Sequence, residues 1–191
     1  MKIWLSLSAA IDRLNSWIGK ISLWLILATT LISAGNAIVR KVFNFSSNAF
    51  LEVQWYLFAA VFLMGAGYVF LHNAHVRIDF VSSRLSPRTR NWVDVVGIVV
   101  VVIPFCILMM VLSWPLFVQA FVSGELSSNA GGLIRWPAYF VIPAGFALLG
   151  LQSVSELIKR VAFLRGIGLD TLAHHGSDEI EDLVSTDRGV Q

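Results

Sequence analysis

The chain has few charged residues, and this shortage says most about the kind of protein it is. Only 14% of its 191 residues are Asp, Glu, Lys or Arg, whereas a soluble domain carries about a quarter. Hydrophobic residues make up 57%, and the mean hydropathy is +0.74. The composition argues against an ordinary soluble protein and indicates a membrane protein.

Cysteine and the usual catalytic motifs are almost absent. Cys106 is the single cysteine, which excludes an intramolecular disulfide and a cysteine-based metal site. The sequence has no phosphate-binding loop, no nucleophile–His–acid set and no metal-ligand spacing. Its short loops also offer no basic and aromatic groove for nucleic acid. We therefore predict a protein that is not an enzyme, carries no cofactor or metal of its own and binds no nucleic acid.

Four long apolar runs are present, at about residues 18–40, 50–72, 93–122 and 136–158. Each has the 20 or so residues that a helix needs to cross a bilayer, and unbroken runs favour helices over the alternating strands of a membrane barrel. The sequence thus predicts an all-α membrane protein with four transmembrane helices in a single domain, residues 1–165. Pro104 is expected to bend the third helix, as is Pro115.

The segment before the first span has an apolar face at helical spacing, formed by Ile3, Leu7, Ile11, Leu14 and Ile18. This pattern predicts an amphipathic helix lying at the inner membrane surface. An unstructured terminus is the alternative.

Lys and Arg are distributed unevenly between the two sides. With the N-terminus inside, inner segments carry 11 of them and outer loops carry three. Because cytoplasmic loops are enriched in these residues, both termini are predicted to be cytoplasmic. Residues 166–191 hold half of the chain's acids and predict a disordered tail.

The polar residues collect at the two ends of the spans, while the middle portions lack ionisable groups. Arg40 and Glu52 flank one short outer loop, where they either form an ion pair or are solvated separately. Residues near the span ends are candidates for contact with a partner or with lipid: Arg40, Glu52, Trp55, His75, Arg77, Asp79, Arg135 and Trp136. Small residues at helical spacing are candidates for close helix packing: Thr29, Ser33, Ala37, Gly65, Gly67, Ala144, Ala147 and Gly150.

Several motifs occur in an order typical of one family. They are Arg40, Glu52 with Trp55, Phe62-Leu63-Met64-Gly65-Ala66, His75-Val76-Arg77-Ile78-Asp79, Gly124-Glu125-Leu126-Ser127-Ser128, and the run from Trp136 to Phe146. Over about residues 20–160 the chain resembles the small membrane (Q-type, DctQ-like) subunit of tripartite ATP-independent periplasmic, or TRAP, transporters. Met64 departs from the pattern, since the family often has Gly or Leu there.

The resemblance implies a multi-pass protein of the bacterial inner membrane that works with two partners. One is a large multispan membrane subunit that carries substrate and sodium by an elevator motion. The other is a periplasmic binding protein that delivers an organic acid, such as a carboxylate or a sugar acid. The resemblance implies that this chain is a static scaffold in contact with membrane phospholipid. It also implies that sodium binds the large subunit.

Two other functions are compatible with four spans. The first is an autonomous small multidrug-type transporter acting as an oligomer, with Glu52 as the coupling residue. The second is a haem-bearing anchor, which needs histidines on facing helices. His72 and His75 share one helix end, and His174 and His175 lie in the tail. The sequence therefore has no opposing intramembrane histidine, which argues against the haem-bearing anchor.

Overall fold

The helices of the folded chain follow the four apolar runs. The structure is a computed structural model that describes residues 2–44, 47–72 and 86–167. The elements in chain order are α1 (Lys2–Phe43), α2 (Asn48–Leu71), α3 (Pro87–Gly97), a π-helical segment (Ile98–Val102), α4 (Ile103–Ser123) and α5 (Trp136–Leu164).

Four helical stretches are long and apolar enough to cross a membrane, with α3, the π segment and α4 forming one of them. This confirms the predicted all-α membrane fold with four spans. Helix α5 is central, since it packs against α1, α2, α3 and α4. The tail predicted for residues 166–191 lies outside the described residues from position 168 onwards.

Helix α1 extends well beyond the predicted first span. Its 42 residues measure about 63 Å at 1.5 Å per residue, roughly twice the ~30 Å hydrocarbon core. The predicted N-terminal helix is present and continues into the first span without a break. Most of its apolar face is exposed, with Ile3 at 83%, although Ile11 is buried together with Ser8 and Asn15.

The long third span contains an irregular turn directly before Pro104. Proline has no N–H, and its ring clashes with the carbonyl four residues earlier, which here belongs to Val100. The π turn widens the helix at this point, with the N–H of Ile103 donating to the carbonyl of Ile98. The structure thus places a π turn where the sequence predicts a bend, while Pro115 lies inside α4.

Two glycines allow α2 to approach its neighbours closely. A Cβ on Gly67 would overlap the side-chain oxygen of Asn15 on α1. A Cβ on Gly145 of α5 would lie 2.7 Å from the Cβ of Leu63 and 2.8 Å from its carbonyl carbon. Small residues at such crossings let membrane helices gain van der Waals contact, and these two fix α2 between α1 and α5.

Candidate functional site

The two ends of the bundle are called outer and inner here after the sides that the sequence predicts for them. The outer end is organised around the carboxylate of Glu52, one turn into α2. Its side chain is only 3% exposed. The carboxylate accepts hydrogen bonds from the Ser127 hydroxyl, from the Asn129 side-chain amide at 2.7 Å and from the Leu133 backbone N–H at 2.7 Å. Three donors from one loop compensate for the cost of burying this charge.

The loop that surrounds Glu52 is a small hairpin between α4 and α5. An isolated antiparallel bridge joins Leu126 to Ile134, and the Ser127 N–H donates to the Leu133 carbonyl at 2.9 Å. Gly131 has a φ of +72°, a conformation that glycine adopts at little cost. The hairpin, residues 125–135, is therefore a defined surface anchored to α2.

Arg135 closes the base of this hairpin. Its guanidinium donates to the Glu125 carboxylate at 2.6 Å. This hydrogen bond raises the pKa of Arg135 above its ordinary value, so the group stays charged. Trp55 is exposed beside it, and both line a cavity of about 250 Å³ with Glu52.

Neither of the two alternatives for Arg40 and Glu52 is correct: they form no ion pair, and Glu52 is buried rather than solvated. Glu52 is enclosed by the hairpin, whereas Arg40 is exposed near the end of α1. Within residues 2–44, 47–72 and 86–167, Arg40 forms no salt bridge. Sequence proximity across the short loop did not decide the pairing, because the actual donors are about 75–81 positions away.

The inner end of the bundle contains a second polar network, which joins α1 to α5. The Asp12 carboxylate accepts from the Gln152 amide at 2.8 Å and from the Ser155 hydroxyl at 2.7 Å. Lys159 donates to the same carboxylate at 3.1 Å. One carboxylate on α1 therefore contacts three consecutive polar positions on one face of α5.

Two further contacts lengthen this seam along both helices. The hydroxyls of Ser8 and Ser155 lie 2.7 Å apart, and the Asn15 amide donates to the Gln152 side-chain oxygen at 2.9 Å. Each of these four side chains is buried. The polar stripe of α1 is thus matched by a polar stripe of α5.

Charged side chains continue the inner network from α5 to α3. Glu156 pairs with both Lys159 and Arg160, and Arg160 pairs with Asp94 at 3.2 Å. Arg160 and Glu156 are each 1% exposed. From Asp12 to Asp94 the charges alternate in sign, so every buried ion has an opposite neighbour.

Between the two networks the spans carry no charged side chain. Residues 21–39, 53–71, 95–124 and 136–155 contain no Asp, Glu, Lys, Arg or His. In the part of the chain that the structure describes, no group of three His, Cys, Asp or Glu side chains could hold a metal ion. Among the described residues, the contacts of charged side chains therefore lie at the two ends of the bundle, where they hold its elements together.

A comparison with models of protein families matches residues 29–163 to one family, described as "Tripartite ATP-independent periplasmic transporters, DctQ component". The match covers well over half of the chain. The chain belongs to the DctQ family. No match was found among curated proteins or among solved structures.

The DctQ match includes the outer network entirely but the inner network only in part. Glu52 and its hairpin lie inside the matched range, as do Asp94 and Lys159 on the inner side. Asp12 lies on the part of α1 that precedes residue 29. This DctQ protein thus extends the matched region with a helical segment that is fastened to it by polar contacts.

The other predicted residues fall in three places. His75, Arg77 and Asp79 lie outside the described residues. Trp136 begins α5 beside Arg135. The small residues are divided: Gly65, Gly67, Ala144, Ala147 and Gly150 lie on α2 and α5, whereas Thr29, Ser33 and Ala37 line a groove on the outer half of α1.

Four charged residues of the inner network were not among the site residues predicted from the sequence: Asp12, Glu156, Lys159 and Arg160. Their spacing was a usable signal: polar groups at 152, 155, 156, 159 and 160 recur every three or four residues along α5, which places them on one face of a helix.

Proposed function

We propose that this DctQ subunit is the static accessory subunit of a sodium-coupled importer of organic acids. It would hold the large membrane subunit and help to present an outer surface to a periplasmic binding protein. Sodium and substrate would bind the large subunit. Family membership supports the transporter role, and the distribution of charge supports the static one.

One observation carries the proposal: the charged groups lie at the ends of the spans, and the buried ones are engaged within the chain. A pathway for an organic anion or for sodium needs polar groups near the middle of the membrane. The four ranges between the networks have no Asp, Glu, Lys, Arg or His. The subunit is therefore suited to positioning a partner rather than to conducting a solute.

The two networks also support a subunit that keeps its shape. Removing one partner of a buried ion pair costs about 3–5 kcal/mol, and a rearrangement that separated the buried Arg160 from Asp94 would approach a cost of this kind. The pair of Asp12 and Lys159 is partly exposed, so separating it would cost less. At the outer end, Glu52 holds the hairpin in one conformation. A preordered surface loses less entropy when a partner binds to it, which suits contact with a soluble binding protein.

The orientation follows from the same arrangement. The inner network lies at the end rich in Lys and Arg, and the hairpin lies at the end poor in them. The positive-inside rule supports an inner-membrane subunit with cytoplasmic termini and a periplasmic hairpin. Cysteine accessibility labelling at Ser128, which is exposed on the hairpin, tests this placement.

Glu52 does not favour an autonomous transporter. A coupling residue must exchange its proton or ion with substrate, whereas this carboxylate already accepts three hydrogen bonds from the hairpin. Its place near the beginning of α2 also puts it at the outer end of the span. Both facts suit a structural anchor.

The experiment is purification of the tagged chain from its native membranes in mild detergent, followed by mass spectrometry. We expect a stoichiometric large multispan protein to elute with it. Sodium-driven uptake of organic acids would then be measured in vesicles holding the large subunit and the binding protein, with and without this chain. Full uptake without the chain would refute the accessory role, and a chain that elutes only with copies of itself would favour an oligomeric transporter.

A further inference from the structure

The outer half of α1 extends along the membrane with almost no packing from the rest of the chain. From Thr30 to Phe43 its residues are exposed, apart from Ile32 and Asn36, which are half-buried. Between this half of α1 and α2 lies a groove of about 740 Å³. Its walls include Ile26, Ser33, Ala37, Gln54, Phe58 and Val61.

The length of the groove corresponds to one leaflet of a bilayer. It runs along α1 from Ile26 to Ala37, which is about 16 Å at 1.5 Å per residue. Half of a hydrocarbon core is about 15 Å. The mainly apolar walls therefore have the extent of the acyl chains in the outer leaflet.

The outer mouth of the groove is basic. Arg40 and Lys41 follow Ala37 by three and four residues, so they lie on the same face of α1. Helical side chains lean towards the N-terminus, which here directs both cations back towards the groove. These are two of the three Lys and Arg residues assigned to the outer side.

The depth of these cations also suits a lipid headgroup. Asn15, in the inner network, and Arg40 are separated by 25 positions, or about 38 Å along α1, slightly more than the ~30 Å core. Arg40 therefore lies at the level of the outer phosphates. Gln54 is among the residues that line the groove, although its amide nitrogen is enclosed by protein atoms.

We propose that this groove is a binding site for one phospholipid of the outer leaflet. The acyl chains lie against Ile26, Phe58 and Val61. The phosphate pairs with Arg40 and Lys41. Small residues on the α1 wall leave room for the chains, and the occupant supplies an anion for the two cations.

A transmembrane helix of a partner is the competing occupant, and the basic mouth disfavours it. A helix that filled the groove would leave Arg40 and Lys41 to find separate partners, whereas a phospholipid satisfies both the walls and the cations. The proposal does not depend on the accessory role, because the groove lies wholly within this chain.

The test is photolabelling of the full chain in vesicles of phosphatidylethanolamine and phosphatidylglycerol. The probe is a phosphatidylglycerol with a diazirine on one acyl chain, and labelled peptides are mapped by mass spectrometry. We expect the label to concentrate at residues 26–37 and 54–61. Two cations near an anionic headgroup contribute enough that R40Q/K41Q should lower labelling there about tenfold or more.

Two single variants separate the groove from the rest of the helix surface. S33F fills the groove and should abolish the label at these segments. L31F adds the same side chain at a similar depth on an exposed position that does not line the groove, and labelling should be unchanged. Labelling that is even around α1, or that R40Q/K41Q leaves intact, would overturn the proposal.

The same labelling repeated on the chain purified with its large partner distinguishes the two occupants. Persistence of the label at residues 26–37 supports a resident lipid. Its disappearance, with cross-links from this segment to the partner instead, would overturn the lipid site in favour of a helix contact. If the chain purifies without a partner, the result on the chain alone still decides.

Discussion

Replacing Arg160 with methionine removes the cation that lies between two carboxylates of the inner network. Arg160 is 1% exposed and pairs with Glu156 and with Asp94. Methionine fills much of the same space but leaves the carboxylates without this partner. Breaking a buried pair in this way costs about 3–5 kcal/mol. At about 2–4 °C per kcal/mol for a chain of this size, the apparent Tm should fall by about 6–20 °C.

The measurement is thermal unfolding in detergent, followed by the fluorescence of the seven tryptophans. Arg165 provides a matched control, since it is exposed just beyond the end of the same helix. R165M makes the same chemical change at the surface and should shift Tm by no more than about 2 °C.

A double variant tests whether the loss comes from the ion pair itself. Removing the Glu156 charge as well, in E156Q/R160M, eliminates one of the stranded carboxylates. We expect the double variant to lose less stability than the two single variants added together, because the residues interact directly. A Tm for R160M equal to that of R165M would show that the network does not stabilise the bundle, and the argument for a rigid subunit would fail.

Two further predictions concern α2. G67A should destabilise the protein by about 1–3 kcal/mol, because the added methyl overlaps Asn15. G97A is the control: its methyl has nothing within 4 Å, so it should be neutral or stabilise α3 by up to about 1 kcal/mol. Thermal unfolding compares the two variants, and equal shifts in Tm would contradict the close crossing. E52Q places an amide donor against the donors of the hairpin, so limited proteolysis should cut residues 125–135 faster than in wild type. S128A, at an exposed position of the hairpin that is not bonded to Glu52, serves as its control, and equal rates for the two variants would contradict the anchor.

Hydropathy sufficed to predict the spans because side chains that face the lipid hydrocarbon must be apolar, and hydropathy measures this property. Each apolar run had to be exposed to hydrocarbon along most of its length, and a helix is how its backbone groups are satisfied there. The sequence predicts the N-terminal helix and an apolar face at the membrane surface, and two members of that face, Ile3 and Leu7, are exposed. The sequence pattern does not predict that the polar stripe through Ser8 and Asn15 is the side that packs against the bundle.

The pairing of polar residues depends on contacts far apart in sequence, which local patterns do not specify. The partners Asp12 and Lys159 are 147 positions apart, and Glu52 and Leu133 are 81 apart. Proximity in sequence instead suggested Arg40 for Glu52, which is wrong. Sequence could predict that polar groups collect at the two ends, but only the arrangement of the helices selects which of them meet.

The contacts between α1 and α5 determine when, during synthesis, the protein can complete its folding. A ribosome adding about 5–20 residues per second takes about 7–30 s to make the 147 positions between Asp12 and Lys159. During that interval α1 has been synthesised, but Lys159, which pairs with its Asp12 carboxylate, has not. The subunit can reach its final fold only after α5 has been synthesised. A chain truncated before Gln152 would lack the side chains that join α5 to Asp12.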